Sequence, residues 1–207
     1  MTPKNSPADK SHSPATDNKS VTIEQVIHFT HVIGKLKNIQ RTGWTRYSSI
    51  KSSESVAEHV FRLAVLALCI PLPSEVSRIK LVQMALVHDL GEAIIGDVVT
   101  NRGAQELPNL HHKQLEEEQA LKSILNEVGQ APYTALFTEF VQRNSTEARF
   151  LKQLDKMEMA VQALEYEQKY GADLTEFFDS FEHVAHDTFF QNLAKKLKAM
   201  RPRLQQV

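Results

Sequence analysis

The chain has 207 residues, 24 Lys plus Arg against 25 Asp plus Glu, a formal net charge of -1 and an apolar share of 42%. The charge balance argues against a duplex nucleic-acid binder, which carries a basic excess or stripe, and the apolar share suits a globular protein that needs no disulfide or metal staple. Cys69 is the single cysteine, so no intramolecular disulfide forms and a reducing, cytoplasmic setting is expected.

In chain order, residues 1–20 carry three prolines and almost nothing apolar, which predicts a disordered tail. Thr22 caps a first helix to about Lys37, with Ile23, Val26, Ile27, Val32, Ile33 and Leu36 as its apolar set. A polar, irregular stretch follows, Asn38 to Tyr47, holding Arg41, Trp44 and Arg46. Ser53 to Ile70 is a second helix, apolar nearly all round and therefore expected at the centre of the fold. Cys69 within it reads as core filler rather than nucleophile, and its apolar run is too short to span a bilayer. Pro71 and Pro73 end this helix. Ser74 caps a third one to about Leu90.

Residues 92–109 form the longest irregular stretch, and loops of that length in compact domains are often functional. Helices over roughly 111–128, Pro132 to Arg143, Thr146 to Tyr170, 174–183 and up to Met200 complete the chain, with Gly129 and Gly171 as stops. No strand-like alternation occurs, so the expected fold is all-α, one domain over 21–200 with a short tail at 201–207.

Four residues suggest a metal site. His88 and Asp89 follow the apolar run Leu81 to Leu86, and Gly91 reads as the terminator that lets this helix end open onto a cleft. Asp155 lies four residues from both Leu151 and Met159, on an apolar helix face where a lone carboxylate costs several kcal/mol without a partner. His59 follows Val56 and precedes Leu63, again on an inward face. Each alone reads more simply as a satisfied core residue. Together they are inward-facing N and O donors on three helices, a set suited to a divalent transition metal.

The order His59, His88-Asp89, Asp155 resembles the HD-domain metal-dependent phosphohydrolases, and more closely their 5′-deoxynucleotidase branch, the YfbR-like nucleotidases. The stretches that carry the resemblance are Arg41-Thr42-Gly43-Trp44, Ser55-Val56-Ala57-Glu58-His59, Ala85 to Glu92, Gly96-Asp97 and Phe150 to Glu158. The resemblance implies a helical bundle in which His59, His88, Asp89 and Asp155 hold one divalent ion (Mn, Co, Mg or Zn). It implies Glu92 and Asp97 as the acidic pair that positions water and substrate. Arg41 would meet the substrate phosphate, and Trp44 would pack on the deoxyribose or base. In the bacterial members arginine and tryptophan are adjacent, whereas Thr42-Gly43 separates them here, so Arg46 competes for the phosphate role.

The implied substrate is a deoxyribonucleoside 5′-monophosphate and the implied assembly a homodimer. A phosphodiesterase or nucleoside triphosphohydrolase on the same fold is the enzymatic alternative; a helical interaction protein with a structural metal is the non-enzymatic one. His111-His112 with Glu116-Glu117-Glu118, and His183 with His186, read as solvated helix faces. A site that included His111 or His112 would favour a two-metal diesterase. His28 and His31 are expected to have no acidic partner nearby and receive no role.

Overall fold

The computed structural model describes residues 20–99, 101–102, 105–106 and 108–202; of the two expected tails, all but Ser20, Arg201 and Pro202 lies outside them. Helix α1 (Ile23–Gly34) starts at a reciprocal capping box between Thr22 and Gln25 and tightens into a 3-10 turn at Lys35–Lys37. Such a cap contributes about 1 kcal/mol and sets where the helix begins. The polar stretch that follows contains a four-residue helix, α2 (Thr42–Thr45). A second capping box, Ser55 with Glu58, starts α3 (Val56–Cys69), three residues later than the apolar pattern suggests.

Helix α4 (Arg78–Val87) is capped by Ser77 rather than Ser74 and stops one residue short of His88. After the one-turn α5 (Glu92–Ile95), Gly96 adopts φ 80°, a conformation only glycine takes readily. The long loop contains a two-residue antiparallel ladder, β1 (Asn101–Arg102) with β2 (Gln105–Glu106). The rest is helical: α6 (Leu110–Glu127), α7 (Thr134–Gln142), α8 (Thr146–Tyr170), α9 (Thr175–Val184) and α10 (Thr188–Met200). Among the described residues the fold is all-α apart from that ladder. Among the described residues no helix is long and apolar enough to cross a membrane.

The helix at the centre is α8, which α3, α4, α7, α9 and α10 all contact. Its buried Leu151, Leu154, Ala160 and Ala163 meet Leu63 of α3, Leu81 and Met84 of α4, and Phe178, Phe181 and Phe190 from the C-terminal pair. Each large side chain so buried contributes about 1.5–3 kcal/mol. Helix α3 is less enclosed than its composition suggests. Its inner face is buried, but Phe61, Val65 and Leu68 are 71%, 41% and 56% exposed, and Cys69 is exposed rather than in the core. The reason is position: α3 lies against the core with one face, whereas α8 is surrounded. Arg201 then ties the end of α10 to α8 through a two-pronged contact with buried Glu167 at 2.7 and 2.9 Å.

Candidate metal centre

Three helix segments bring the four expected donors together. His59 lies one turn into α3 and is fully buried. His88 and Asp89 occupy the turn between α4 and α5. Asp155 lies on the inward face of α8 and is 6% exposed. His59 Nε2 is 3.5 Å from Asp155 Oδ1 and 3.7 Å from Asp89 Oδ2, and His88 Nε2 is 3.1 Å from the same Asp89 oxygen.

Each imidazole is fixed through its other nitrogen. His88 Nδ1 donates to the Ala85 carbonyl at 2.8 Å, which leaves the Nε2 lone pair inward. His59 Nδ1 meets Glu158 Oε2 at 2.5 Å, and Arg62 Nε holds the other Glu158 oxygen at 2.6 Å. Both Nε2 atoms are buried and lack a hydrogen-bond partner among the described residues. Two orphaned imidazole nitrogens facing two carboxylates are what a divalent cation satisfies. An ion with bonds of about 2.0–2.2 Å separates its ligand atoms by about 3–3.6 Å, close to the spacing found here.

The charges agree with that reading. Burial alone would raise the Asp89 carboxyl, but His88, Arg41 and His59 outweigh it and hold it well below the usual range. Burial likewise opposes ionisation of Asp155, which Lys152, His59 and Lys156 reverse. Burial and Arg41 work against a charged His59 ring, yet Glu158 and Asp155 push it up to about 10. A cation at Nε2 takes the place of that proton. Burial with Lys152 and Arg41 brings Lys156, which lines the adjoining cleft, down to about 7.

The acidic pair is divided by the structure. Glu92 is 1% exposed, with Oε1 on Lys113 Nζ at 2.8 Å and Oε2 buried without a hydrogen-bond partner among the described residues. Burial and Asp89 push its carboxyl well above the usual range, against Lys113. Asp97 instead fastens the loop that carries Arg41: Oδ2 accepts the Thr42 amide at 2.5 Å, and its carbonyl accepts the Thr42 hydroxyl at 2.5 Å. Lys113 also lies 3.0 Å from Glu117 Oε1, so Glu117 belongs to this buried cluster rather than to a solvated face.

Gly91 has right-handed φ and ψ of -60° and -25°, so it is not a left-handed terminator. Its role is steric. A Cβ there would stand 2.6 Å from the Glu117 carbonyl oxygen. Gly91→Ala is therefore expected to force α6 away from α5 and to destabilise the fold by about 1–3 kcal/mol, read from urea unfolding midpoints. An unchanged midpoint would contradict this account of the glycine.

Arg41, at the start of α2, reaches Asp89 Oδ2 with Nη1 at 3.1 Å. Trp44 is 1% exposed, donates to Glu54 Oε1 at 3.0 Å, and lies 4.1 Å from the Phe177 ring and 5.2 Å from Tyr166, so it anchors the loop. Arg46 pairs with Glu176 at 2.9 Å. All three line one cleft of about 190 Å³, together with His88, Asp89, Asp155, Lys113, Phe137 and Phe140. Of the remaining histidines, His112 is 77% exposed on Glu116, and His111, His183 and His186 are exposed. His28 does find an acid, Glu127 at 2.7 Å, 99 residues away.

Two contributors have no counterpart in the sequence reading, Glu158 and Lys113. Glu158 stands three residues beyond Asp155 on α8, and Lys113 precedes Glu117 by four. Both spacings place a charge on the same inward face as a second one, which was the available signal.

The HD domain family model matches residues 33–198. The chain is 35% identical over 196 residues to the 5′-deoxynucleotidase HDDC2 of Bos taurus, covering 92% of this chain and 93% of that protein. It is 35% identical over 181 residues to the 5′-deoxynucleotidase HDDC2 of Homo sapiens, covering 85% and 86%. Among solved structures, a conserved hypothetical protein from Pyrococcus furiosus superposes with a TM-score of 0.66 at 30% identity, covering 84% of this chain and 98% of that one.

Proposed function

Because the chain belongs to the HD domain family, we propose that it is a metal-dependent 5′-deoxynucleotidase, releasing phosphate from deoxyribonucleoside 5′-monophosphates. The observation that carries this reading is the convergence of His59, His88, Asp89 and Asp155, the last three of which line a cleft that Arg41 also lines. The printed activity of the bovine and human relatives supports it. A structural metal is closed off on all sides, whereas this donor set adjoins open space, which supports catalysis over a purely structural role. The exposed positions of His111 and His112 favour the monoesterase over a two-metal diesterase.

When bound, a divalent ion lowers the pKa of a coordinated water and neutralises phosphoryl oxygens. The chain supplies the rest. Arg41 binds the phosphate, its planar fork suited to two oxygens, and Asp97 keeps Arg41 in place by holding Thr42. Glu92 Oε2, buried and without a hydrogen-bond partner among the described residues, takes the proton from the attacking water, and the 5′-oxygen takes up a proton from solvent in the cleft as its bond to phosphorus breaks. Trp44 braces the sugar side against Phe177, where a 2′-hydroxyl would be desolvated with no partner. Arg46, engaged by Glu176, is the rim residue and the second choice for phosphate.

Phosphate release from each deoxy- and ribonucleoside 5′-monophosphate, in chelator and then with Mn, Co, Mg or Zn, tests the reading. Release that needs metal and prefers deoxy substrates is the expected result. No release from any monophosphate by metal-loaded protein would overturn it.

We also propose that the chain is a homodimer, with the exposed Phe61, Val65 and Leu68 of α3 covered by a second copy. Light scattering should give twice the chain mass, and Phe61→Lys with Leu68→Lys should give a monomer. A monomeric wild type would refute the pairing. The lone exposed Cys69 suits a reducing compartment, where it stays a thiol.

A further inference from the structure

The geometry points to Lys113 as a positioning residue of the reaction centre, one that holds Glu92 in its working orientation; this rests on the role given to Glu92 above. One carboxylate oxygen each of Asp89, Glu92 and Glu117 lies within 4.8 Å of the other two. Three carboxylates in so little water repel one another and turn apart unless a cation stands among them. The Lys113 ammonium is placed there, 2.8 Å from Glu92 and 3.0 Å from Glu117, with its side chain only 12% exposed.

The arrangement is built from two helices. Glu92 opens the one-turn helix α5, whose backbone packs against α6, but a glutamate side chain keeps several rotamers unless its carboxylate is held. Lys113 and Glu117 stand at i and i+4 on the much longer α6, so Glu117 fixes the lysine before the lysine fixes Glu92. Gly91 permits the approach, since any larger residue would meet the Glu117 backbone. The lysine occupies Glu92 Oε1 and leaves Oε2 as the unbonded oxygen. Without Lys113, Glu92 would swing away from Asp89, and a misplacement of about 1 Å costs about 100-fold in rate.

The test compares Mn-loaded wild type with Lys113→Met and Lys113→Arg. Lys113→Met should lower kcat by about 100-fold while the KM for deoxynucleoside monophosphate moves less than about threefold. Lys113→Arg should recover most of the loss. Calorimetry should find the same Mn stoichiometry in all three, and a crystal structure of Lys113→Met should show the Glu92 carboxylate turned away from Asp89. Should Lys113→Met not fold, Lys113→Met with Glu117→Met removes the second unpaired charge and keeps the comparison. An unmoved Glu92, a wild-type kcat, or lost Mn binding that arginine does not restore would each overturn the inference. If wild type itself hydrolyses no monophosphate, the proposed function falls instead, and the position of Glu92 in the two crystal structures still decides the role of Lys113.

Discussion

Asp155→Ala is expected to release phosphate from deoxynucleoside monophosphates at least about 10³-fold more slowly than wild type, because the ion a ligand helps hold contributes several kcal/mol to the transition state. The same variant should lose Mn binding in calorimetry while keeping its helical circular dichroism. The reasoning is local. Asp155 Oδ1 is the α8 contribution to the donor set, 3.5 Å from His59 Nε2, while Oδ2 is steadied by Lys152 at 3.1 Å. Removing the carboxylate leaves His59, His88 and Asp89 to hold an ion from two sides only. The fold should survive because Lys152, freed of its partner, is 23% exposed and can turn to water. Asp155→Asn, which keeps the shape and loses the charge, should behave nearly as badly. Full turnover with Mn retained in Asp155→Ala would place the ion elsewhere, and the Asp89, Glu92 and Glu117 oxygens would become the first place to look.

The inward placement of the four donor side chains was readable in the sequence because burying a carboxylate or an imidazole without a partner is costly. His59, Asp155 and the His88-Asp89 pair each stood among apolar neighbours at helical spacing, and the structure brings them together. Caps were equally readable where a side chain closes onto the backbone, as at Thr22, and α8 runs from Thr146 to Tyr170 as its pattern indicates.

What stayed hidden depends on contacts between distant segments. Gly91 looked like a helix stop because nothing in its own neighbourhood reveals the Glu117 backbone across the gap. Glu117 looked solvated because it stands in a run of three glutamates, and only one of them turns inward. Helix α8 is central although it carries many charges: its buried Asp155, Lys156, Glu158 and Glu167 are partnered within the site or by Arg62 and Arg201, so the core tolerates them. Helix α3 looked central because it is apolar on every side, yet solvent meets one of those sides in the single chain.

Glu158→Ala should act on stability and on metal affinity together, and the two effects can be separated. The Glu158 side chain is fully buried between the His59 imidazole at 2.5 Å and the Arg62 guanidinium at 2.6 Å. Deleting one member of a buried charged pair typically costs about 3–5 kcal/mol. Arg62 is 31% exposed and also has Glu165 at 3.0 Å, so it can be satisfied elsewhere and the cost should fall near the lower end. His59 has no such alternative. Its Nδ1 would be left unpaired, the ring would be free to turn, and Nε2 would no longer be directed at Asp89 and Asp155. Loss of such an outer partner weakens metal binding by about 10–100-fold.

Glu158→Gln isolates the second effect, because the amide still accepts from Nδ1 while the charge is gone. It should fold with little loss, bind Mn more weakly, and recover near-normal kcat once Mn is raised enough to fill the site. A Glu158→Gln variant with unchanged Mn affinity, or one whose kcat stays low at saturating Mn, would mean that the carboxylate does something other than orient His59.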